Sequence, residues 1–230
     1  MTTEYRRGKW HHVTYTEVIT LAHSTSELEA TESAFMILAE EELENYKQAR
    51  RPPEETKWKE VCQQEYNNLT GYHTWMLMDQ PPNINIVDSH WMFRVKRDNL
   101  GHVNKYKARL VAKGFSQIPG VDFNETYSPA IHFTTICLII ALVCKYSLKL
   151  RQLDIKGAYL NGILEETVYM KQPKGFIRAG DEDKVCKLHE SLCGLKESGR
   201  VWHQTLKELE KMGFTSGKAN NTVFFRLSGS

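Results

Sequence analysis

The sequence predicts an α+β fold, on three observations. Helical and strand periodicities follow one another as helix, hairpin, helix, strand, hairpin, helix, strand, which is not the regular alternation of a βαβ protein. The 230 residues suffice for one large domain or two small ones with a sizeable core. Hydrophobic residues at 41% and charged residues at 25% are ordinary for a soluble globular chain.

Residues 1–25 show no clear period. Glu27–Gln48 is rich in helix formers, but Phe35, Ile37, Leu38 and Leu43 fit a helical face only loosely. Residues 1–50 are therefore expected to be an acidic linker, largely disordered or partly helical, with 51–230 forming the domain. Pro52-Pro53 opens a better pattern. Trp58, Val61, Cys62, Tyr66 and Leu69 recur at spacings of three and four, an amphipathic helix with proline in its first turn.

After Gly71 the period changes to that of strands. TWMLM is a short one, closed by Pro81-Pro82-Asn83. Trp91–Arg97, the turn DNLG and His102–Lys113 predict a β-hairpin. Phe133–Tyr146 is the most apolar segment and predicts a buried helix. A strand carrying Asp154, then TVYMKQP and VCKL, follow. Ser198–Met212 places Val201, Trp202, Leu206 and Leu209 on one helical face, with Gly213 as its C-terminal stop. NTVFFRL begins a last strand, whose edge near Thr222–Leu227 is expected to lack a partner and so to favour aggregation.

The net charge of +2 hides an uneven distribution. Ser26–Glu60 holds ten acidic against five basic residues, and Arg94–Lys113 seven basic against Asp98 alone. Most of that basic cluster lies on the hairpin. Cations there are commonly only solubilising, so charge by itself does not assign a nucleic-acid site. The five cysteines show no CxxC spacing, which argues against a zinc site and for a reducing compartment. The polar opening MTTEYRRGKWHH does not read as a signal peptide, and the longest apolar run, Ile136–Cys144, is too short for a bilayer. The expected location is intracellular, cytoplasmic or nuclear.

RQLDIKGAYLNG (151–162) poses the functional question. Leu150, Leu153 and Ile155 read as a short buried strand, yet Asp154 sits among them, and burying an ionised carboxylate without compensation is costly. Asp154 either binds backbone N–H groups at a strand end or is a ligand for a hard divalent cation. Taken alone, one aspartate does not decide, because a two-metal site needs two or three convergent carboxylates.

Its company points further. KYKARLVAKGFSQIPGVDFNETYSP (105–129), QLDIKGAYLNGILEETVYMKQPKGF (152–176) and KLHESLCGLKESGRVWHQTL (187–206) occur in that order, and WKEVCQQEYNNLTGYHTWML (58–77) precedes them. Together they resemble the reverse transcriptase, an RNA-directed DNA polymerase, of copia-type LTR retrotransposon Pol polyproteins. The resemblance implies a polymerase right hand, of which this chain would supply fingers and part of the palm, stopping short of the thumb and RNase H region. It implies Asp154 as the first catalytic aspartate and a Mg²⁺ ligand, with the backbone carbonyl of Ile155 completing that set. Tyr159 would be the aromatic gate under the incoming sugar. Lys107, Arg109 and Lys113 would lie on the hairpin that closes over triphosphate and template. The implied partners are an RNA or DNA template-primer and deoxynucleotides.

There are departures. The family's SLYGLKQSPRAW reads SLCGLKESGRVW, so Glu197 replaces a glutamine that the resemblance places beside nucleotide and template. An anion there would repel a triphosphate. His132 and Cys137 stand where the family usually has arginines. The Tyr-x-Asp-Asp hairpin of the family is expected to be missing, since no adjacent Asp pair exists in the sequence; Asp181 and Asp183 flank Glu182 in a polar loop. The expectation is a reverse transcriptase fragment inactive alone, with a non-catalytic nucleic-acid-binding module, or a gene remnant without a role, as competing readings.

Overall fold

The structure, a computed structural model, describes residues 19–20, 46–150 and 154–226. The chain is α+β. Its elements run β1 (Ile19–Thr20), α1 (Tyr46–Ala49), α2 (Glu55–Gly71), β2 (Trp75–Met78), β3 (Ile86–Val87), β4 (Ser89–Arg97), β5 (Val103–Ala112), α3 (Phe133–Lys145), β6 (Tyr169–Lys171), β7 (Val185–Leu188), α4 (Ser198–Leu206), α5 (Glu208–Lys211), β8 (Thr215–Ser216) and β9 (Val223–Phe225). Two 3₁₀ turns, Gly114–Ser116 and Ala158–Asn161, follow β5 and α3 respectively.

β4 and β5 form the expected antiparallel hairpin. Strict alternation drives it: Trp91, Phe93 and Val95 point inward while Met92, Arg94 and Lys96 point out. Asp98 closes the turn by accepting the N–H groups of Leu100 and His102, and Gly101 takes a positive φ of 82°. α2 lies against this hairpin through Trp58, whose ring meets Phe93 and Tyr106 edge-on, at centroid distances of 5.2 and 4.8 Å. Pro52 and Pro53 sit in the turn before α2 and not in its first turn. β2, β7, β6 and β3 make a four-stranded sheet, antiparallel except for the β3–β6 pair. Its Met170, Cys186 and Leu188 join Trp58, Trp91, Phe93 and Leu192 in the larger core.

A smaller core gathers Trp202, Leu206, Leu209, Phe214 and Phe224. α4 spans both cores, with Val201 in the larger and Trp202 in the smaller. The single helix expected over Ser198–Met212 is divided at Lys207, and Gly213 ends it with φ 84° as its N–H bonds the Glu210 carbonyl.

Three expectations are corrected. Asp154 lies outside any strand and is exposed, and Leu150 is 57% exposed, so no buried strand surrounds Asp154 among the described residues; Arg151–Leu153 lie outside them. Phe133–Lys145 is a helix, but only Ile139 of it is buried. The last strand is paired on both edges, with β8 and with β1. Most of the expected linker, including all of Glu27–Asn45, lies outside the described residues.

The outer face of α3 is, among the described residues, an apolar surface prone to self-association, since Phe133, Leu138, Ile140 and Leu142 are 40–60% exposed. Leu138→Glu with Leu142→Lys adds an i,i+4 ion pair at two exposed positions. The double variant should stay monodisperse at higher concentration in light scattering, with an unchanged melting temperature. A fall of several degrees would place these side chains in a packed interface instead.

Candidate nucleotide and nucleic-acid site

The hairpin register sets cations opposite one another. Arg94 pairs with Lys107, Lys96 with Lys105, and Met92 with Arg109 across β4 and β5. Like charges directly opposite destabilise a strand pair, and this sequence nevertheless keeps them. The crowding is felt at Lys107: burial pushes its ammonium below the usual lysine value, and Arg109, Lys96 and Lys105 push it the same way. Glu65 on α2 is the counter-charge beside Lys107 and Arg109; burial raises its carboxyl, against the backbone of Leu110 and both cations.

Lys113 differs from the other two. Its Nζ lies 2.7 Å from Oδ2 of Asp88, and its backbone N–H bonds the Asp88 carbonyl at 2.8 Å. Burial pushes the Asp88 carboxyl up, but Lys113 and the Ser89 N–H outweigh it and hold it below the usual aspartate range. The Lys113 charge is thus already matched, which sequence spacing did not reveal.

The base of the hairpin is held by close backbone contact against the Cys193–Gly194 segment, next to the loop that meets the Tyr159 turn. Ala112 N–H donates to the Cys193 carbonyl at 2.8 Å. A Cβ at Gly114 would lie 2.1 Å from the Gly194 carbonyl oxygen, and one at Gly194 2.2 Å from that of Ala112. Gly194 also takes φ 95°, so glycine is required there twice over. From this junction, Ser191 N–H donates to the Gly162 carbonyl at 2.7 Å, and Gly162 is so close to Val201 that a Cβ would lie 2.5 Å from its Cγ1. Gly162, at the end of the Tyr159 turn, is thereby held against Ser191 and α4.

Tyr159 is half-buried on that turn and packs, with Ile155 and Ala158, against the smaller core. Burial raises its phenol, and the Cys193 thiol adds to the rise. Burial also raises Cys193, against Arg109 and with Glu65. Cys193 thus interacts electrostatically with both Tyr159 and Arg109. Its standing in place of a family tyrosine did not reveal those interactions.

Of the residues singled out from sequence, Arg109 and Tyr159 both interact electrostatically with Cys193, and Lys107 with Arg109. Asp154 and Ile155 enter the same turn from its N-terminal side, Asp154 exposed and Ile155 half-buried. Glu197 is not exposed to this space at all. It is wholly buried, with its carboxylate turned onto Gln117, so the expected repulsion between its charge and a triphosphate has no direct path.

The donor set does not suit a pair of magnesium ions. Two Mg²⁺ ions require several converging oxygens, whereas Asp154 is a single exposed carboxylate and no group of three His, Cys, Asp or Glu side chains able to hold a metal occurs among the described residues. Among the described residues no helix is long and apolar enough to cross a membrane.

The reverse transcriptase (RNA-dependent DNA polymerase) family profile matches residues 72–230. The chain is 40% identical over 175 residues to the retrovirus-related Pol polyprotein from transposon RE1 of Arabidopsis thaliana, covering 75% of this chain and 12% of that protein. It is 38% identical over 176 residues to the retrovirus-related Pol polyprotein from transposon TNT 1-94 of Nicotiana tabacum, covering 76% and 13%. The Transposon Ty1-DR4 Gag-Pol polyprotein of Saccharomyces cerevisiae is 29% identical over 178 residues, covering 74% and 11%. The chain thus spans only about an eighth of the length of these relatives. No solved structure matches it.

Proposed function

The chain belongs to the reverse transcriptase family of copia-type retrotransposon Pol polyproteins, and from that premise we propose that residues 51–230 are the fingers and part of the palm of an RNA-directed DNA polymerase, without activity as this chain alone. The β4–β5 hairpin is the fingers element. Its outward cations hold the phosphates of template and incoming deoxynucleotide. Tyr159 stacks under the sugar, and Asp154 with the Ile155 carbonyl is, among the described residues, a single ligand element of the palm and not a complete metal site. The reading includes an intracellular site of action, as befits a chain with unpaired cysteines.

One observation carries the phosphate assignment: the register that stacks Arg94, Lys96, Lys105, Lys107 and Arg109 on the outer side of a two-stranded ribbon whose other face is core. A merely solvated face would not need like charges in directly opposed pairs. Binding to a template-primer duplex should weaken steeply with salt, because phosphate neutralisation releases counterions. Lys96, Lys107 and Arg109 changed together to Ala should lower the magnitude of the log–log salt slope by about 0.7–0.9 for each phosphate no longer neutralised. Lys113→Ala should leave the slope unchanged, since Asp88 already matches that charge. Filter binding or fluorescence anisotropy across a salt series reads both. An unaltered slope in the triple variant would remove the hairpin from the site.

A further inference from the structure

The basic ribbon runs directly into an exposed aromatic ring. Lys113 is followed by the 3₁₀ turn Gly114–Ser116, and Phe115 within that turn is 78% exposed. Ile118 and Val121, on the same loop, are exposed as well. Apolar side chains left together in water beside a charged surface mark a contact site more often than a packing fault.

The loop that presents them is pinned from beneath by buried polar side chains. Gln117 accepts the Lys196 N–H on Oε1 at 2.8 Å and donates from Nε2 to both carboxylate oxygens of the buried Glu197, at 3.0 and 3.2 Å. Asp122, also buried, accepts the Ile118 N–H at 2.7 Å. The Asn85 side-chain amide donates to the same Asp122 oxygen and to the Ser116 carbonyl, at 2.9 Å from the latter. Gly114, just before Phe115, abuts the Gly194 carbonyl. The backbone on both sides of Phe115 is thus anchored while its ring faces water, and a preformed contact of this kind loses little freedom on binding.

Charge selects the occupant. From Val103 to Val121 the chain carries Lys105, Lys107, Arg109 and Lys113 and no acidic residue, and Asp122, the next one, is turned inward. An apolar protein surface would bring no counter-charge to this ribbon. A polyanion that also offers flat apolar faces matches both the cations and the ring. Unpaired nucleic acid has that chemistry, whereas a duplex keeps its base faces inside the stack. We propose that Phe115 is a stacking platform for an unpaired base of single-stranded nucleic acid whose phosphates lie on the β4–β5 cations. The inference rests on the phosphate assignment of the hairpin and adds a base contact to it.

The test titrates the full 230-residue chain into two fluorescein-labelled probes, a single-stranded DNA oligonucleotide and a blunt duplex of the same sequence, and follows anisotropy across a salt series. Phe115→Ala should weaken single-strand binding by roughly 5- to 150-fold, the range that loss of one base–aromatic stack covers. Its salt slope should equal the parent's, because no phosphate contact is removed, and its duplex binding should be unchanged. Phe115→Trp should retain single-strand affinity and Phe115→Leu should lose it, since stacking needs a ring and not apolar volume. All three variants should melt with the parent; a fall of several degrees would mean that the ring is packed, and would overturn the proposal. Unchanged single-strand affinity in Phe115→Ala, equal losses on the two probes, or parent-like binding by Phe115→Leu would also overturn it. In those cases salt-dependent binding by the parent leaves the hairpin assignment standing. A parent chain without salt-dependent binding removes both.

Discussion

Replacing Arg200 with Ala is expected to cost about 3–5 kcal/mol of folding stability, because it strands a buried anion. The Arg200 side chain is 10% exposed and that of Glu166 11%, and the guanidinium Nη2 donates to both Glu166 oxygens at 3.0 and 3.2 Å. Its Nε donates to the Glu125 carbonyl at 3.1 Å, which pins the loop between β5 and α3 to α4. The contact to Glu165 adds little, since it spans 3.6 Å to a side chain that is 70% exposed. Urea denaturation should show a lower midpoint with an unchanged slope. Glu166→Gln combined with Arg200→Ala should recover part of the deficit, because an amide tolerates the site without a counter-charge. A cost below about 1 kcal/mol would mean that water screens the pair, as it does at a surface.

The hairpin was legible because its information is local: a period of two over β4 and β5, with turn residues between them. The same holds for Trp75–Met78 and Val185–Leu188, whose apolar runs are bounded by turn residues. What was not legible depends on distant contacts. The apolar run of α3 reads as a core helix, but period and composition cannot say what covers it, and its outer face is exposed. Glu197 read as facing a ligand, whereas a partner 80 residues away buries it. Lys113 read as an available cation, whereas Asp88, 25 positions earlier, takes it. Nothing periodic in the first 25 residues announced that Ile19–Thr20 would pair with β9.

The proposed site residues Tyr159, Lys107 and Arg109 were singled out through the family resemblance and not through pattern. Pattern alone left Asp154 undecided between a strand end and a metal ligand. The structure removes the strand around it without supplying companion carboxylates among the described residues. Gly114 and Gly194 carried a readable signal, two glycines in loops beside candidate residues, yet their meaning is pairwise. Each is needed because the other's segment comes within van der Waals distance.

The second large effect is an all-or-none one: the purified chain should give no primer extension with template, deoxynucleotides and magnesium. Two-metal nucleotidyl transfer holds its ions about 3.5–4 Å apart, and that separation is tolerable only when several carboxylates offset the repulsion and fix the in-line geometry. This chain offers Asp154, exposed and outside regular structure, and its sequence contains no adjacent pair of aspartates. Asp181, in the polar loop before β7, is engaged by Lys184 at 2.8 Å and Arg178 at 3.3 Å, so the loop it shares with Asp183 is no substitute. Template-primer affinity should nevertheless persist and fall with salt, because it draws on the hairpin cations and not on the metal ligands. Asp154→Asn should therefore change neither binding nor the absent extension. Extension by the unmodified chain that disappears in Asp154→Asn would show that other carboxylates complete the site, and the assignment of this chain as a non-catalysing part of the polymerase would fall.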